Sequence, residues 1–241
     1  MLFSVVPNCV AYDPAFGYEV AVIVQDGLRR MLSEQQDIFY YITLMNENYR
    51  HPAMPDGAQE GILRGMYRLR ESARESRPRV KLLGSGTILN EVIAAAELLE
   101  SDFEVAADVW SVTSFTELRR DGIEVDRWNL LHPVEEPRSA YVTECLSAVE
   151  GPVVASTDYI RTYPDLIRPW VPGRYRVLGT DGFGRSDFRT ALRRFFEVDR
   201  HYVALAALRE LAEEGAIDRQ VVKDAIDRYQ INADAPLPTT V

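Results

Sequence analysis

The sequence predicts a three-layer α/β/α protein, its sheet mainly parallel, with a partial α/β domain in front. Three observations carry this. From Val80 onward, short β-branched runs alternate with helical patterns. The connections between them are brief and carry glycine or proline. Nearer the start, Ile38–Met45 is a continuous β-branched and aromatic run, the mark of a strand covered on both faces of a parallel sheet.

The elements follow in order. Phe16, Val20, Ile23, Val24, Gly27, Leu28 and Met31 recur at helical spacing behind Pro14, which predicts an amphipathic helix over Ala15–Leu32. The strand Ile38–Met45 is cut off by polar Asn46–Tyr49 and by Pro52 and Pro55, and a domain boundary falls near Asp56. A helix over Ala58–Glu75 turns Ile62, Leu63, Met66 and Leu69 inward and its arginines outward, until Pro78 stops it. Then come strand Val80–Leu83, turn Gly84–Gly86, Ala-rich helix Ile88–Leu99, strand Val105–Val112 and helix Ser114–Arg120. A looser stretch holds Trp128, His132, Pro133 and Pro137. Helix Ala140–Val149, strand Pro152–Ser156, helix Tyr159–Pro169 and strand Tyr175–Gly179 come after it. Helices at Phe188–Phe195, Arg200–Glu214 and Asp218–Tyr229 complete the series, and the tail after Asn232 is expected to fray. Strands joined this way imply crossover connections and helices on both sheet faces.

Composition narrows the class. The chain has 241 residues, 46% of them hydrophobic and 10% aromatic, ample for a packed core. Its net charge of −10 repels phosphate backbones and disfavours nucleic-acid partners. The most basic stretch holds Arg64, Arg68, Arg70, Arg74, Arg77 and Arg79, but Glu60, Glu71 and Glu75 interleave, which reads as a solvated helix face. Cys9 and Cys145 are too far apart for a CxxC site and lack a neighbouring histidine, which fits a reducing cytoplasm. The opening Met1–Pro7 has no positive segment and does not read as a signal peptide, and no run reaches the length of a membrane helix. A soluble, cytoplasmic protein without a membrane partner is expected.

The loops supply the candidate site residues. Gly84-Ser85-Gly86 opens a helix after a strand, but Leu89 stands where a dinucleotide fingerprint needs its third glycine, so a tight βα turn is the favoured reading over a phosphate contact. Thr180–Asp187 lies at the carboxyl edge of the sheet, where open α/β proteins bind ligands; its Asp181 and Arg185 are candidates for contact with a ligand or partner. Asn48 and His51 sit in the loop beyond the first predicted strand, with His51 the histidine best placed for a ligand. Ser114-Phe-Thr-Glu117 fits a capping box, and Ser114 also begins a loop-to-helix junction at the sheet edge. His132 and His201 have no adjacent Asp, Cys or Ser that suggests a triad or metal site.

Particular strings go further than periodicity. Tyr12-Asp-Pro-Ala-Phe16, Tyr41-Ile-Thr-Leu-Met-Asn-Glu-Asn-Tyr49 with Pro52-Ala-Met-Pro55, Leu82-Leu-Gly-Ser-Gly86, Ser111-Val-Thr-Ser-Phe-Thr-Glu-Leu118, Ala155-Ser-Thr-Asp-Tyr159 and Arg176-Val-Leu-Gly-Thr-Asp-Gly-Phe-Gly-Arg-Ser-Asp187 appear in order. Together they resemble the C-terminal part of the homodimeric-type pyruvate dehydrogenase E1 component, from about Pro7 to the end.

The resemblance implies that residues 1–56 are the last portion of a pyrimidine-binding domain and residues 57–241 a transketolase-type C-terminal domain. It implies an enzyme that uses thiamine diphosphate and Mg²⁺ to decarboxylate pyruvate and passes the two-carbon unit to a lipoyl group of the E2 acetyltransferase core. The family's diphosphate- and metal-binding segment, its activating glutamate and its catalytic histidines map onto no residue of this sequence. No catalytic, cofactor or metal residue is therefore assigned. The chain is expected to be inactive and cofactor-free alone, to need an E1 half or subunit as partner, and to self-associate through apolar surface near residues 2–45. A free-standing, non-catalytic dimerisation module derived from the enzyme is the alternative.

Overall fold

The computed structural model describes residues 5–74 and 78–240. Two sheets organise it. The first joins β1 (Cys9–Tyr12) and β2 (Phe39–Ile42) in parallel, with Cys9 opposite Phe39 and Tyr12 opposite Ile42. The helix α1 (Gly17–Leu28) makes the crossover, and its last turn widens into a π-turn at Arg29–Ser33. The predicted strand Ile38–Met45 is thus half as long as expected and only partly covered: Phe39 and Tyr41 are exposed on one face. Its partner β1 is fully buried and was not anticipated, because four residues are too short for a pattern to show.

The second sheet has five strands in the order β3-β5-β4-β6-β7, made of β3 (Met66–Arg70), β4 (Arg79–Gly84), β5 (Ala106–Val112), β6 (Val153–Ser156) and β7 (Tyr175–Leu178). All pairs are parallel except β3 with β5. Helices cover both faces. Against one pack α3 (Leu89–Asp102), α8 (Arg200–Glu213) and α9 (Arg219–Arg228), which bury Val92, Leu99, Val203, Leu208 and Val222 with Val80, Leu82 and Val109. Against the other pack α4 (Phe115–Leu131) and α5 (Tyr141–Ser147), with Phe115, Leu118 and Leu146 on Leu83, Val112 and Ala155. This is the expected three-layer arrangement, completed by α2 (Ala58–Arg64), the short α6 (Thr162–Asp165) and α7 (Arg189–Phe195).

Several boundaries differ for physical reasons. The helix expected over Ala58–Glu75 stops at Arg64, because Gly65 takes φ +108° and its carbonyl receives the amides of Thr113 and Ser114. The chain then enters the edge strand β3, so the arginines do not line a helix: Arg68 pairs with Glu71, Arg70 with Glu100 and Arg79 with Asp108. Glu75 and Arg77 lie outside the described residues. Helix α4 runs eleven residues beyond Arg120, through Gly122, where the Trp170 indole lies against the bare helix backbone. The helix expected at Tyr159–Pro169 is interrupted: Pro164 and Pro169 leave only α6 and a 3₁₀ turn at Arg168–Trp170. The tail ends in a further 3₁₀ turn at Pro238–Thr240.

Candidate functional site

The two sheets meet at their carboxyl ends, and Asp13, just past β1, is the joint. Its amide donates to the Thr113 carbonyl after β5, and its own carbonyl accepts from Gly86 after β4. Its carboxylate is 5% exposed and accepts from Thr43 Oγ1 at 2.6 Å, beyond β2. Burial pushes this carboxyl up to about 6, against the pull of hydrogen bonds from Thr43 and Ser85. Gly86 has φ +51°, and a Cβ there would stand 3.0 Å from the Asp13 carboxylate. The glycine turn therefore packs directly against the buried Asp13 carboxyl.

A second buried carboxylate anchors α1. Glu19 is 0% exposed and accepts from the amides of Ala15 (2.5 Å) and Phe16 (2.9 Å), from Tyr67 (2.7 Å) and from Ser111 (2.6 Å). Burial raises this carboxyl despite those donors, so the helix is held to β3 and β5 by a fully satisfied polar hub.

Beside the joint opens a cleft of about 310 Å³, lined by Met45, Asp158, Thr180, Arg185, Arg189 and Arg193. It gathers the loop after β2, the loop after β6 and the glycine loop after β7. Arg193, 9% exposed, bridges Glu47 (2.6 Å) and Glu91 (3.3 Å), and Arg200 caps the far side of Glu91. Burial disfavours a charged Glu91, but the two arginines outweigh it and hold the carboxyl below its ordinary range. Asp158 is pushed up by burial. The Thr180 hydroxyl is buried without a hydrogen-bond partner among the described residues. Three guanidinium groups in the lining suit the recognition of anions, beside the Asp158 carboxyl and that Thr180 hydroxyl.

Of the candidates from the sequence, Arg185 lines this cleft and lies over the Phe195 ring at 4.2 Å. Asp181 is not among the residues lining it and instead accepts from the Arg161 amide at 2.9 Å. Asn48 is exposed on the facing loop. His51 accepts from the Gly17 amide through Nδ1 at 2.9 Å and stacks on Tyr49, which makes it a support for the start of α1. Ser114 requires a correction: it is 1% exposed, accepts from the Glu117 amide at 3.1 Å and donates to the Ala11 carbonyl at 2.6 Å, so it meets no ligand. Only the serine half of the expected capping box forms, since Glu117 turns to Arg120 and the Ser114 amide to Gly65. The roles of Asp13, Glu19 and Arg193 had no local signal, since their partners lie up to 146 residues away.

The residues described do not fit a thiamine diphosphate–Mg²⁺ site. No three His, Cys, Asp or Glu among them converge to hold a metal ion, and the buried carboxylates Asp13 and Glu19 are turned to internal donors. No helix among the described residues is long and apolar enough to cross a membrane.

Known proteins agree with this geometry. Residues 65–199 match the family model of the transketolase-like TK C-terminal domain, and residues 1–52 match that of the pyruvate dehydrogenase E1 component middle domain. The pyruvate dehydrogenase E1 component of Pseudomonas aeruginosa is 59% identical over 239 residues, which cover 99% of this chain and 27% of that protein. The Escherichia coli K12 protein of the same name is 55% identical over 235 residues, 97% of this chain and 26% of its own length. The chain thus spans about a quarter of the length of the curated relatives it matches. Among solved structures, a split gene transketolase described as an inactive beta4 tetramer superposes with a TM-score of 0.60 at 18% identity, covering 88% of this chain and 60% of that one. A Pichia stipitis transketolase in complex with sedoheptulose-7-phosphate gives 0.59 at 18% identity, covering 88% and 26%; at such identity the likeness concerns the fold alone. The chain belongs to the transketolase-like C-terminal domain family and corresponds to a C-terminal portion of the pyruvate dehydrogenase E1 component, with residues 1–52 matching that protein's middle domain.

Proposed function

We propose that this chain is the non-catalytic C-terminal share of a pyruvate-decarboxylating E1, divided near Asp56 into the end of the middle domain and a C-terminal domain. The coenzyme, thiamine diphosphate with Mg²⁺, is held by E1 segments outside these residues. This chain supplies the scaffold and docking surface beside it, and the assembled enzyme hands its two-carbon unit to an E2 lipoyl group in the cytoplasm. One observation carries the reading: β1 and β2 form a two-stranded parallel sheet in which Phe39 and Tyr41 of β2 are exposed, with Val24 and Leu28 of α1 and Leu32 and Leu44 of the adjoining segments also open to solvent. Parallel pairs are stable only when covered, so the exposed side of β2 and the edge it turns away from β1 await the rest of the middle domain. Asn48, Asp181 and Arg185, with exposed Phe183 and Phe188, form a second contact surface toward the rest of E1.

The test is reconstitution. The purified chain with thiamine diphosphate, Mg²⁺, pyruvate and an artificial electron acceptor gives no turnover, and addition of the separately produced remainder of E1 restores it. Turnover by the chain alone would overturn the reading. The likeness to the split gene transketolase favours a second arrangement, in which the chain is a subunit made on its own and associates with itself until its partner is present. Light scattering of the purified chain then gives a dimer or larger species, and a monodisperse monomer would exclude it.

A further inference from the structure

The outer edge of β7 carries an anion-binding groove that the proposed function does not use. A cavity of about 410 Å³ lies along this edge, lined by Arg161, Arg168, Arg174 and Arg176 with the carboxylates of Asp165 and Glu210. Positive charge exceeds negative in this lining by two, and still by one when Asp181 beside Arg161 is counted, on a chain whose net charge is −10. The arginines are fixed in place. Arg174 Nε donates to Glu210 at 2.7 Å and Arg176 Nε to the other oxygen of the same carboxylate, so one buried anion aligns two guanidinium groups. Burial works against a charged Glu210, but the hydrogen bonds from Arg174 and Arg176 prevail and keep it below its ordinary range. Arg168 is clamped by Asp165 (2.6 Å) and by the Tyr175 carbonyl (2.8 Å), with its guanidinium 4.9 Å from the Tyr175 ring centre.

Two sets of donors are left over. The terminal amino groups of Arg174 and Arg176 donate to nothing among the described residues. Arg161 Nε is buried and makes no hydrogen bond, its nearest carboxylate oxygen being 3.5 Å away on Asp181. An orphaned guanidinium donor is costly unless an acceptor arrives from outside. Oriented guanidinium groups with spare donors match the oxygens of a phosphate group, whose second ionisation near neutral pH meets the local charge excess. We propose that this groove binds the phosphate group of a small phosphorylated ligand.

The experiment is calorimetric titration of the 241-residue chain with inorganic phosphate and, separately, citrate at low salt. Phosphate binds saturably at one site, more tightly than citrate. Arg161→Gln and Arg176→Gln each weaken it about tenfold, by loss of one charge-assisted hydrogen bond. Arg138→Gln, on a guanidinium stacked over Trp128 elsewhere, leaves it unchanged. Where a variant does not fold, mass-spectrometric mapping of phenylglyoxal modification on the unaltered chain decides, with Arg161 and Arg176 protected by phosphate and Arg138 not. Absence of saturable binding, equal affinity for citrate, or indifference to both substitutions and to protection would overturn the proposal.

Discussion

The five-stranded sheet and the two-stranded sheet are built from the same parallel crossover units and meet different surroundings. In the larger sheet the central strands β4, β5 and β6 are buried along nearly their whole length, with helices on both faces. In the smaller, β1 is buried but β2 alternates between exposed and half-buried. The larger sheet closes its core within the chain. The smaller one packs against α1, α2 and β3, with Ile23, Ile62 and Tyr67 in its core, and α4 covers β1, but β2 keeps one side open. Coverage is therefore local: one sheet encloses its core between two helix layers, while the other leaves apolar side chains in water.

The contrast can be broken most easily at its strong end. Leu82→Ala, in the fully buried centre of β4, is expected to cost about 4 kcal/mol, read as a fall in the urea midpoint. A loss below about 1 kcal/mol would mean that the larger sheet does not enclose a finished core.

The seam between the units comes next. Arg193→Ala removes the cation shared by Glu47 and Glu91, which keep Arg189 and Arg200 respectively, and is expected to cost about 1.5 kcal/mol. The loop at 44–51 should then be cut faster by limited proteolysis, while the five-stranded domain persists.

Protonation of Asp13 tests the same seam from the other side. Its carboxyl titrates at about 6 in the folded chain against an ordinary 3.8, so between these values the folded state holds a proton that the unfolded state has lost. Stability from this group is thus full below that window and falls as pH rises through it, by as much as about 3 kcal/mol. Asp158 and Glu19 act on Asp13 in the same direction. Asp13→Asn should flatten the dependence relative to the unchanged chain in urea melts at acid and neutral pH. An unaltered profile would show that the joint is wetter than the geometry implies.

The smallest effect belongs to the open face. Phe39 is 42% exposed, and Phe39→Ser should change the stability of the chain by no more than about 0.5 kcal/mol. The same change should weaken association with the remainder of E1 in the reconstitution mixture. A large loss of stability in the chain alone would mean that this face is already covered.

The sequence was most legible where local pattern and tertiary role coincide. Strands β4 to β7 and helices α3, α8 and α9 lie close to their expected places, because each carries its apolar period or a flanking glycine or proline. It was least legible where a distant partner decides. Gly65 ends α2 because the amides of Thr113 and Ser114 bond to its carbonyl, and Gly122 continues α4 because Trp170 needs the space. Strand β2 showed an apolar run, and only the structure reveals that one of its faces is bare. Near the cleft, the placement of Arg185 beyond β7, though not its role, could be read from a long polar loop after a strand. Those of Asp13 and Glu19 could not, since a lone carboxylate in sequence gives no sign of the four elements that converge on it.

The π-widened end of α1 returns the chain directly into β2, so the strand–helix–strand loop is closed before any further strand is added. Under the proposed assembly, the edge of β2 away from β1 is then ready-made for pairing with the rest of the middle domain. Pairing at that edge requires no threading of this chain, and assembly should be bimolecular, concentration-dependent and reversible.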